Sequence, residues 1–152
     1  MSKSNLQVVR PEPAAAPSRD IATRWGGDPA ILADGFVAVP VQFLAHYGSI
    51  KPFCLSVAEA MLVVQLMAFK WSAAAPFPGY KKLATRMGVS QTYVRKLARQ
   101  LEGKGFMHRI ARTGRTNAFD LQPLFKKVVA HAQAPAVQAM RLRSRRAKRP
   151  AA

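Results

Sequence analysis

Positively charged side chains dominate the chemistry available to this sequence, and they are concentrated in its second half. Residues 79–120 contain ten Lys and Arg against only Glu102 and Asp120, and residues 121–152 contain eight with no acidic residue. Residues 1–34, in contrast, carry no net charge, although the whole chain has a formal net charge of +17. Ammonium and guanidinium groups at this density neutralise a polyanion. The sequence therefore predicts a nucleic acid as partner, before a membrane or an acidic protein.

Residue types that carry out catalysis or bind metals are sparse and separated. His46, His108 and His131 lie far apart in the sequence, with no Cys or carboxylate at ligand spacing, so no metal site is predicted. None of the seven acidic residues pairs with a His or Ser at a recognisable catalytic spacing. We therefore expect neither enzyme activity nor a cofactor. Cys54 is the single cysteine, which excludes an intramolecular disulfide and is typical of a reducing cytosol.

Length and hydropathy predict one folded domain with two tails. A chain of about 150 residues buries roughly 70 % of its unfolded surface, which is enough for one core. The longest apolar run, residues 60–69, is too short for the ~20 residues of a membrane helix, so no membrane contact is predicted. We expect a flexible N-terminal arm over the proline-rich residues 1–34, a folded domain over 35–134, and a disordered basic C-terminal tail over 135–152.

A twenty-residue segment that begins at Tyr80 has the residue types of a helix-turn-helix. The small Ala84 falls where the two helices cross most closely, and Gly88 falls in the turn, which needs a positive φ angle. Ser90 is a good N-terminal cap for the second helix, which is predicted over residues 90–104. The apolar positions that lock the two helices together are also filled, by Leu83, Val89, Val94 and Leu97.

Other elements surround this segment. A helix from Ser56 to about residue 71 begins with a capping box and is apolar almost all round, which predicts burial on both sides, within the domain or in a dimer interface. Two strand-like runs with a turn between them predict a hairpin. We also expect a strand at residues 35–39, a short helix after Pro40 with Leu44 turned inward, and a last helix over 123–133. Six phenylalanines are expected in the core: Phe53, Phe69, Phe77, Phe106, Phe119 and Phe125.

The segment and its hairpin resemble a known class of domain. The stretch LATRMGVSQTYVRKLARQLEGKGFMHR, with TGRTNAFDLQPLF after it, is similar to the winged helix-turn-helix domains of bacterial, plasmid and phage DNA-binding proteins. It resembles regulators of the MarR and GntR type and the N-terminal domain of DnaD-type replication proteins, over residues 53–127. The resemblance implies a mainly α fold with a small β-hairpin wing over 106–121. No ligand-binding domain of the GntR kind is present, so no effector is implied.

The resemblance also implies which side chains of the second helix face DNA. The N-terminal half of this helix enters the major groove in such domains. There Gln91 would read adenine and Arg95 would bind guanine through two hydrogen bonds. Lys96 and Arg99 would contact phosphates. The predicted contacts on this helix are Gln91, Thr92, Tyr93, Arg95, Lys96 and Arg99.

Contacts outside the second helix are expected from basic residues alone. In the wing, Arg112 and Arg115 are placed to reach the DNA backbone or the minor groove. On the first helix of the pair, Lys81, Lys82 and Arg86 are candidate phosphate contacts. The basic C-terminal residues would add affinity that is independent of sequence, because each neutralised phosphate releases counterions.

Three functions are compatible with these features. The first is a double-stranded DNA-binding protein that acts as a transcriptional regulator. The alternative is a replication or mobile-element accessory protein that joins DNA to a protein partner. A third, supported only by size and charge, is an RNA- or ribosome-associated basic protein. We expect duplex DNA as the partner, a homodimer because this class binds paired half-sites, a replication or transcription protein, and a cytoplasmic, nucleoid-associated location.

Overall fold

The computed structural model describes residues 19–70 and 72–147. Parts of the predicted arm and tail, residues 1–18 and 148–152, lie outside the described residues, as does Trp71. The chain forms two units, one that ends at Phe36 and one that begins at Val37. Within the first, the described residues form a short helix, α1 (Arg19–Thr23), and a 3-10 helix (Pro29–Leu32). These short helices lie within residues 1–34, for which the sequence predicts a flexible arm, and that arm stays a prediction.

The second unit is mainly helical with one two-stranded antiparallel sheet, as the sequence predicts. Its described elements are α2 (Val41–His46), α3 (Val57–Met67), α4 (Tyr80–Met87), α5 (Gln91–Gly103), β1 (His108–Ile110), β2 (Ala118–Asp120), α6 (Gln122–Gln133) and α7 (Pro135–Ala147). In the sheet, Arg109 lies opposite Phe119. The winged helix-turn-helix fold class is therefore confirmed. None of the described helices has both the length and the apolar character needed to cross a membrane.

One hydrophobic core holds the second unit together. It is built where α3 packs against α4 and α5, and where α2 packs against α6. Each fully buried Leu or Phe contributes about 1.5–3 kcal/mol relative to an exposed one, so this core is the main source of stability. The largest fully buried side chains include Phe43, Phe106, Phe119, Leu62, Leu66, Leu83, Leu97 and Leu101. On α3, however, Val57 and Met61 remain exposed, so no described residue covers this side of the apolar helix.

A buried carboxylate joins α3 to the end of α5. The predicted capping box is present: Ser56 N donates to Glu59 Oε2 at 2.7 Å, and Glu59 N donates to Ser56 Oγ at 3.2 Å. Lys104 Nζ donates to both carboxylate oxygens of Glu59, at 2.9 and 2.8 Å. The Glu59 side chain is only 1 % exposed. Because a buried charge is costly unless it is paired, the ion pair with Lys104 offsets the cost of burying Glu59.

Three predictions about local structure were wrong. Residues 35–39 form no strand: the described sheet contains only β1 and β2, and Gly35 N donates instead to the Leu32 carbonyl at 2.9 Å. Leu44 is exposed, whereas its neighbour Phe43 fills the core. The helix α3 ends at Met67 and not at about residue 71, as predicted. After the helix, Lys70 Nζ donates to three carbonyl oxygens of the loop at residues 72–74.

The helix α7 lies where the sequence predicts a disordered tail. Pro135 is predicted to end the folded domain, but it occupies the first position of this helix, where its missing N–H costs nothing. The Ala, Arg, Gln, Met and Leu residues that follow are strong helix formers. Gln138 Nε2 donates to the Ala132 carbonyl at 2.6 Å and links α7 to α6. The described part of the tail is thus helical, whereas the division into arm, domain and tail stays a prediction.

The glycine in the helix-turn-helix gives a prediction with a matched control. Gly88 ends α4 with φ at 66°, which side chains resist, and a Cβ there would meet nothing within 4 Å. Gly88→Ala should therefore lower the free energy of unfolding by about 1–2 kcal/mol through backbone strain alone. Gly103 in α5 also has open space around it but no positive φ, so Gly103→Ala should be neutral or raise stability by up to about 1 kcal/mol. Urea unfolding of both variants measures these changes. Equal changes in the free energy of unfolding would contradict the positive φ assigned to Gly88.

Candidate nucleic-acid interface

The helices α4 and α5 are fixed against each other by a tight turn. Val89 N donates to the Ala84 carbonyl at 3.1 Å and closes the turn after Gly88. Ser90 Oγ accepts from Tyr93 N at 3.1 Å and caps α5, as its sequence predicts. The residues of α5 that face the core are Val94, Leu97, Ala98 and Leu101, all of them buried. This packing leaves the opposite side of α5 in solvent.

The structure leaves the predicted contacts on α5 open to solvent. All six are exposed: Gln91, Thr92, Tyr93, Arg95, Lys96 and Arg99. Glu102 is the single acidic residue of α5, and its carboxylate accepts from Arg109 Nε at 2.8 Å and from Arg109 N at 3.2 Å. The hydrogen bond from Arg109 lowers the pKa of Glu102, and the same bond raises the pKa of Arg109. This ion pair ties β1 to α5 and compensates the only negative charge of α5.

Arg95 is held in place by an aromatic ring from the other helix of the pair. Its guanidinium carbon lies 5.5 Å from the centroid of the Tyr80 ring at the start of α4. Tyr80 in turn meets Phe119 of β2 edge to face, with 5.8 Å between ring centroids. Cation–π contact of this kind restricts a flexible side chain and lowers the entropy that binding would cost. No pattern in the sequence indicates this role of Tyr80.

Two of the three basic residues of α4 lie over an aromatic ring on one side of the helix. Lys82 Nζ and the Arg86 guanidinium carbon lie 5.0 and 4.8 Å from the centroid of the Phe69 ring. They are four residues apart, so both project from the same side of the helix. Lys81 is exposed one position earlier, and its carbonyl accepts from Thr85 Oγ1. Lys82 and Arg86 are therefore oriented by Phe69, a contact that the spacing of these residues does not predict.

The wing is supported by the loop that precedes α4. Phe119 N donates to the Pro76 carbonyl at 2.8 Å, and Thr116 Oγ1 donates to the Phe77 carbonyl at 2.7 Å. The Arg112 guanidinium carbon lies 4.2 Å from the centroid of the Phe77 ring. Phe77 is 56 % exposed and Phe53, before α3, is 53 % exposed, so the prediction of both as core residues was wrong. The flanking prolines 76 and 78 are buried, and in this extended segment the residue between them must point outward.

The charges on this surface are almost entirely uncompensated. Of the ten basic residues at 79–120, only Lys104 and Arg109 form salt bridges with carboxylates in the described part of the chain. The remaining eight coincide with the basic residues that the sequence predicts to contact DNA: Lys81, Lys82, Arg86, Arg95, Lys96, Arg99, Arg112 and Arg115. Contact of any of them with DNA stays a prediction.

Two histidines that are far apart in the sequence lie close together in the structure. His46 on α2 and His131 on α6 meet edge to face, with 5.1 Å between ring centroids. Even so, the described residues contain no group of three or more His, Cys, Asp or Glu side chains that would hold a metal ion. His108 is exposed on β1, in the wing.

Comparison with known proteins places the chain in a family. The family model of the DnaD N-terminal domain matches residues 39–139. The N-terminal domain of the DnaD protein from Geobacillus kaustophilus is 28 % identical, with a TM-score of 0.55 over 82 % of this chain and 99 % of that chain. A MarR/EmrR family transcriptional regulator from Acinetobacter sp. is 14 % identical, with a TM-score of 0.40 over 80 % of each chain. No curated protein matches. The resemblance to DnaD-type domains is thus confirmed, and the chain belongs to the DnaD N-terminal domain family.

Proposed function

We propose that this protein binds double-stranded DNA, with α5 in the major groove and the wing (106–121) on the backbone or in the minor groove. The observation that carries the proposal is the exposed side of α5, where Arg95, Lys96 and Arg99 have no carboxylate partner among the described residues. A helix of this kind, following a tight glycine turn, has the dimensions and the charge to enter the major groove.

Internal pairing of the acidic groups supports an attraction to phosphate. The second unit contains three acidic residues, and each is engaged within the protein. Glu59 is bound by Lys104 and Glu102 by Arg109, while Asp120 Oδ1 accepts from Gln122 N at 2.9 Å. Each of these carboxylates is thus already bound by a donor of the protein itself, which weakens its repulsion of a phosphate backbone. Release of counterions by the basic groups would then supply most of the sequence-independent affinity.

Base recognition would come from two residues one helical turn apart. Gln91 and Arg95 are both exposed near the N-terminus of α5, the end that contacts bases in helix-turn-helix proteins. Arg95 is already oriented by Tyr80, so less side-chain entropy is lost on binding. A bidentate Arg–guanine contact provides about 1–3 kcal/mol of discrimination.

The cellular role that we propose is that of a replication accessory protein on the nucleoid. Membership of the DnaD N-terminal domain family supports this role. The exposed apolar residues of α3, Val57 and Met61, would suit contact with a second copy or a partner protein. The alternative, a transcriptional regulator, is favoured by the pair Gln91 and Arg95, which suits a reader of sequence. Strong preference for a few sites would favour the regulator, and co-purification with a larger protein would favour the accessory role.

Salt dependence tests both duplex binding and the contribution of α7. We expect the full chain to bind a mixed-sequence duplex of thirty base pairs with affinity that falls steeply as salt rises. Replacing Arg143, Arg145 and Arg146 by Gln should reduce the slope of log affinity against log salt by up to about three units, at roughly 0.9 for each phosphate that is no longer neutralised. The measurement is fluorescence anisotropy at several salt concentrations.

Two controls make this result specific. Lys51→Gln removes a positive charge that lies outside the basic half, and it should leave the slope unchanged. A single-stranded RNA of the same sequence should bind more weakly than the duplex. Failure to bind the duplex even at low salt, or a stronger affinity for the RNA, would overturn the proposed function. An unchanged slope in the triple variant would exclude phosphate contacts by α7.

A further inference from the structure

A cavity of about 520 Å³ lies between α2, α6 and α7, outside the helix-turn-helix. Its volume is within the range of about 300–1,000 Å³ that small-molecule sites occupy. Apolar side chains form part of its wall, contributed by Ala45, Val137 and Met140. Polar and basic side chains form the rest, contributed by His46, Ser49, His131, Arg141 and Ser144. An apolar pocket with a few convergent polar groups is the usual composition of a ligand site.

The polar groups of the cavity are held in a connected arrangement. Ser49 Oγ lies 3.3 Å from His131 Nε2 and donates to the His46 carbonyl at 3.2 Å. With the Gln42 amide oriented to satisfy its neighbours, its oxygen accepts from both terminal nitrogens of Arg141 at 3.3 Å. Three helices thus contribute one cation-forming side chain each, and hydrogen bonds or ring contact fix them at one place.

The electrostatics of this cluster favour an anion. No carboxylate of the described residues lines the cavity, and the acidic residues of the second unit are all engaged elsewhere. Burial lowers the pKa of His46, and the neighbouring His131 and Arg141 lower it further. A proton on His46 is therefore disfavoured beside Arg141, the one permanently charged group among the side chains that line the cavity. A bound anion would pair with Arg141 and would favour a proton on His46, whereas a cation would be repelled by Arg141.

We propose that this cavity binds a small amphipathic carboxylate, with the carboxylate between His46, His131 and Arg141 and the apolar part against Val137 and Met140. Such a ligand matches both the charge and the apolar wall. Because it would bridge α2, α6 and α7, it would also fix the basic helix α7 on the rest of the unit. This site is separate from the proposed DNA contacts on α5 and does not depend on them.

The test uses octanoate and its neutral analogue 1-octanol with the full chain, measured by isothermal titration calorimetry. Octanoate should bind at least tenfold more tightly than 1-octanol, because the alcohol lacks the charge. Arg141→Gln should weaken octanoate binding by about tenfold or more, since charge-assisted hydrogen bonds to Arg are removed. Arg143→Gln, on the same helix but outside the cavity wall, should change the affinity by less than twofold.

The pH dependence of octanoate binding gives a second test of the proposed site. A bound carboxylate favours the protonated form of His46, which raises the pKa of that imidazole in the complex. Binding therefore takes up protons, and the affinity for octanoate should rise as pH falls from 8 to 6, while the ligand stays ionised. The titratable or charged groups that face His46 are His131 on α6 and Arg141 on α7.

Several outcomes would overturn the proposal. These are equal affinity for octanoate and 1-octanol, equal losses of affinity in Arg141→Gln and Arg143→Gln, or no binding of octanoate at millimolar concentration. Binding of a hexaglutamate peptide that depends on Arg141, without binding of octanoate, would assign the cavity to an acidic protein segment instead. Ala45→Trp, which fills the cavity from α2, is a second variant and should also abolish octanoate binding. Thermal melting checks that each variant is folded.

Discussion

Simultaneous replacement of Arg95, Lys96 and Arg99 by alanine is expected to weaken binding to duplex DNA by about a hundredfold or more. Removal of Arg95 alone would cost about 1–3 kcal/mol if it binds guanine through two hydrogen bonds. Removal of the phosphate-binding groups of Lys96 and Arg99 weakens binding further, and about 1.4 kcal/mol corresponds to a factor of ten. Anisotropy titration with one labelled duplex at constant salt measures the effect.

The same variant should remain folded. All three side chains are exposed, and substitutions at such positions usually change stability by less than about 0.5 kcal/mol each. The matched control replaces Lys51 and Lys126, which are exposed basic residues outside α4, α5 and the wing, and should cost less than threefold in affinity. Wild-type affinity in the triple variant, or an equal reduction of affinity in the control, would show that α5 is not the helix that contacts DNA.

The second large effect is expected at the ion pair between α3 and the end of α5. Lys104→Met should lower the free energy of unfolding at pH 7 by about 3 kcal/mol or more, because it leaves the Glu59 carboxylate buried without a cation. The double variant Lys104→Met with Glu59→Gln should recover part of this loss of stability, since no charge is then buried. Chemical denaturation of the single and double variants forms a thermodynamic cycle that isolates the pair.

The contribution of Glu59 to the pH dependence of stability should change sign in Lys104→Met. In the wild type, burial acts to raise the pKa of Glu59, but the hydrogen bonds from Lys104 and Ser56 together outweigh it and hold the pKa below the ordinary value of 4.5. The contribution of Glu59 to stability is therefore present above its unfolded pKa and lost as pH falls through the lower, folded pKa. In Lys104→Met the hydrogen bonds from Ser56 remain, and we expect burial, the largest single influence on this pKa, to outweigh them. The pKa of Glu59 then rises above its ordinary value, and stability is lost as pH increases.

Unfolding measured at pH 4 and pH 7 distinguishes these cases. The wild type should be more stable at pH 7, and Lys104→Met should be relatively more stable at pH 4. The same direction of change in both proteins would contradict the assigned role of Lys104.

Local patterns made the helix-turn-helix predictable. The requirement for a small residue at Ala84 and a glycine at residue 88 depends on a turn of a few residues, and the buried stripe of α5 follows from helical spacing alone. The exposed side of α5 then follows by elimination. The basic residues of α5 could therefore be assigned to this surface without knowing any contact between distant segments.

Contacts between distant segments were not predictable in the same way. Arg112 lies over Phe77 only because the loop before α4 runs alongside the wing, and a Phe between two prolines was the sole signal in the sequence. His46 and His131 are brought together by the packing of α2 against α6. In both cases the residues are separated by dozens of positions, so their spacing in the sequence carries no information on their distance in space.

Selection from a random duplex library tests duplex recognition by α5 most directly. The full chain and the Arg95, Lys96 and Arg99 triple alanine variant would each be incubated with the library at about physiological salt, where nonspecific binding is weak. Retained duplexes would then be sequenced. We expect the wild type to retain duplexes with a weakly preferred short motif, and the variant to retain little DNA and to enrich no motif. Retention of no duplex by the wild type, or the same motif in both proteins, would contradict recognition of DNA through α5.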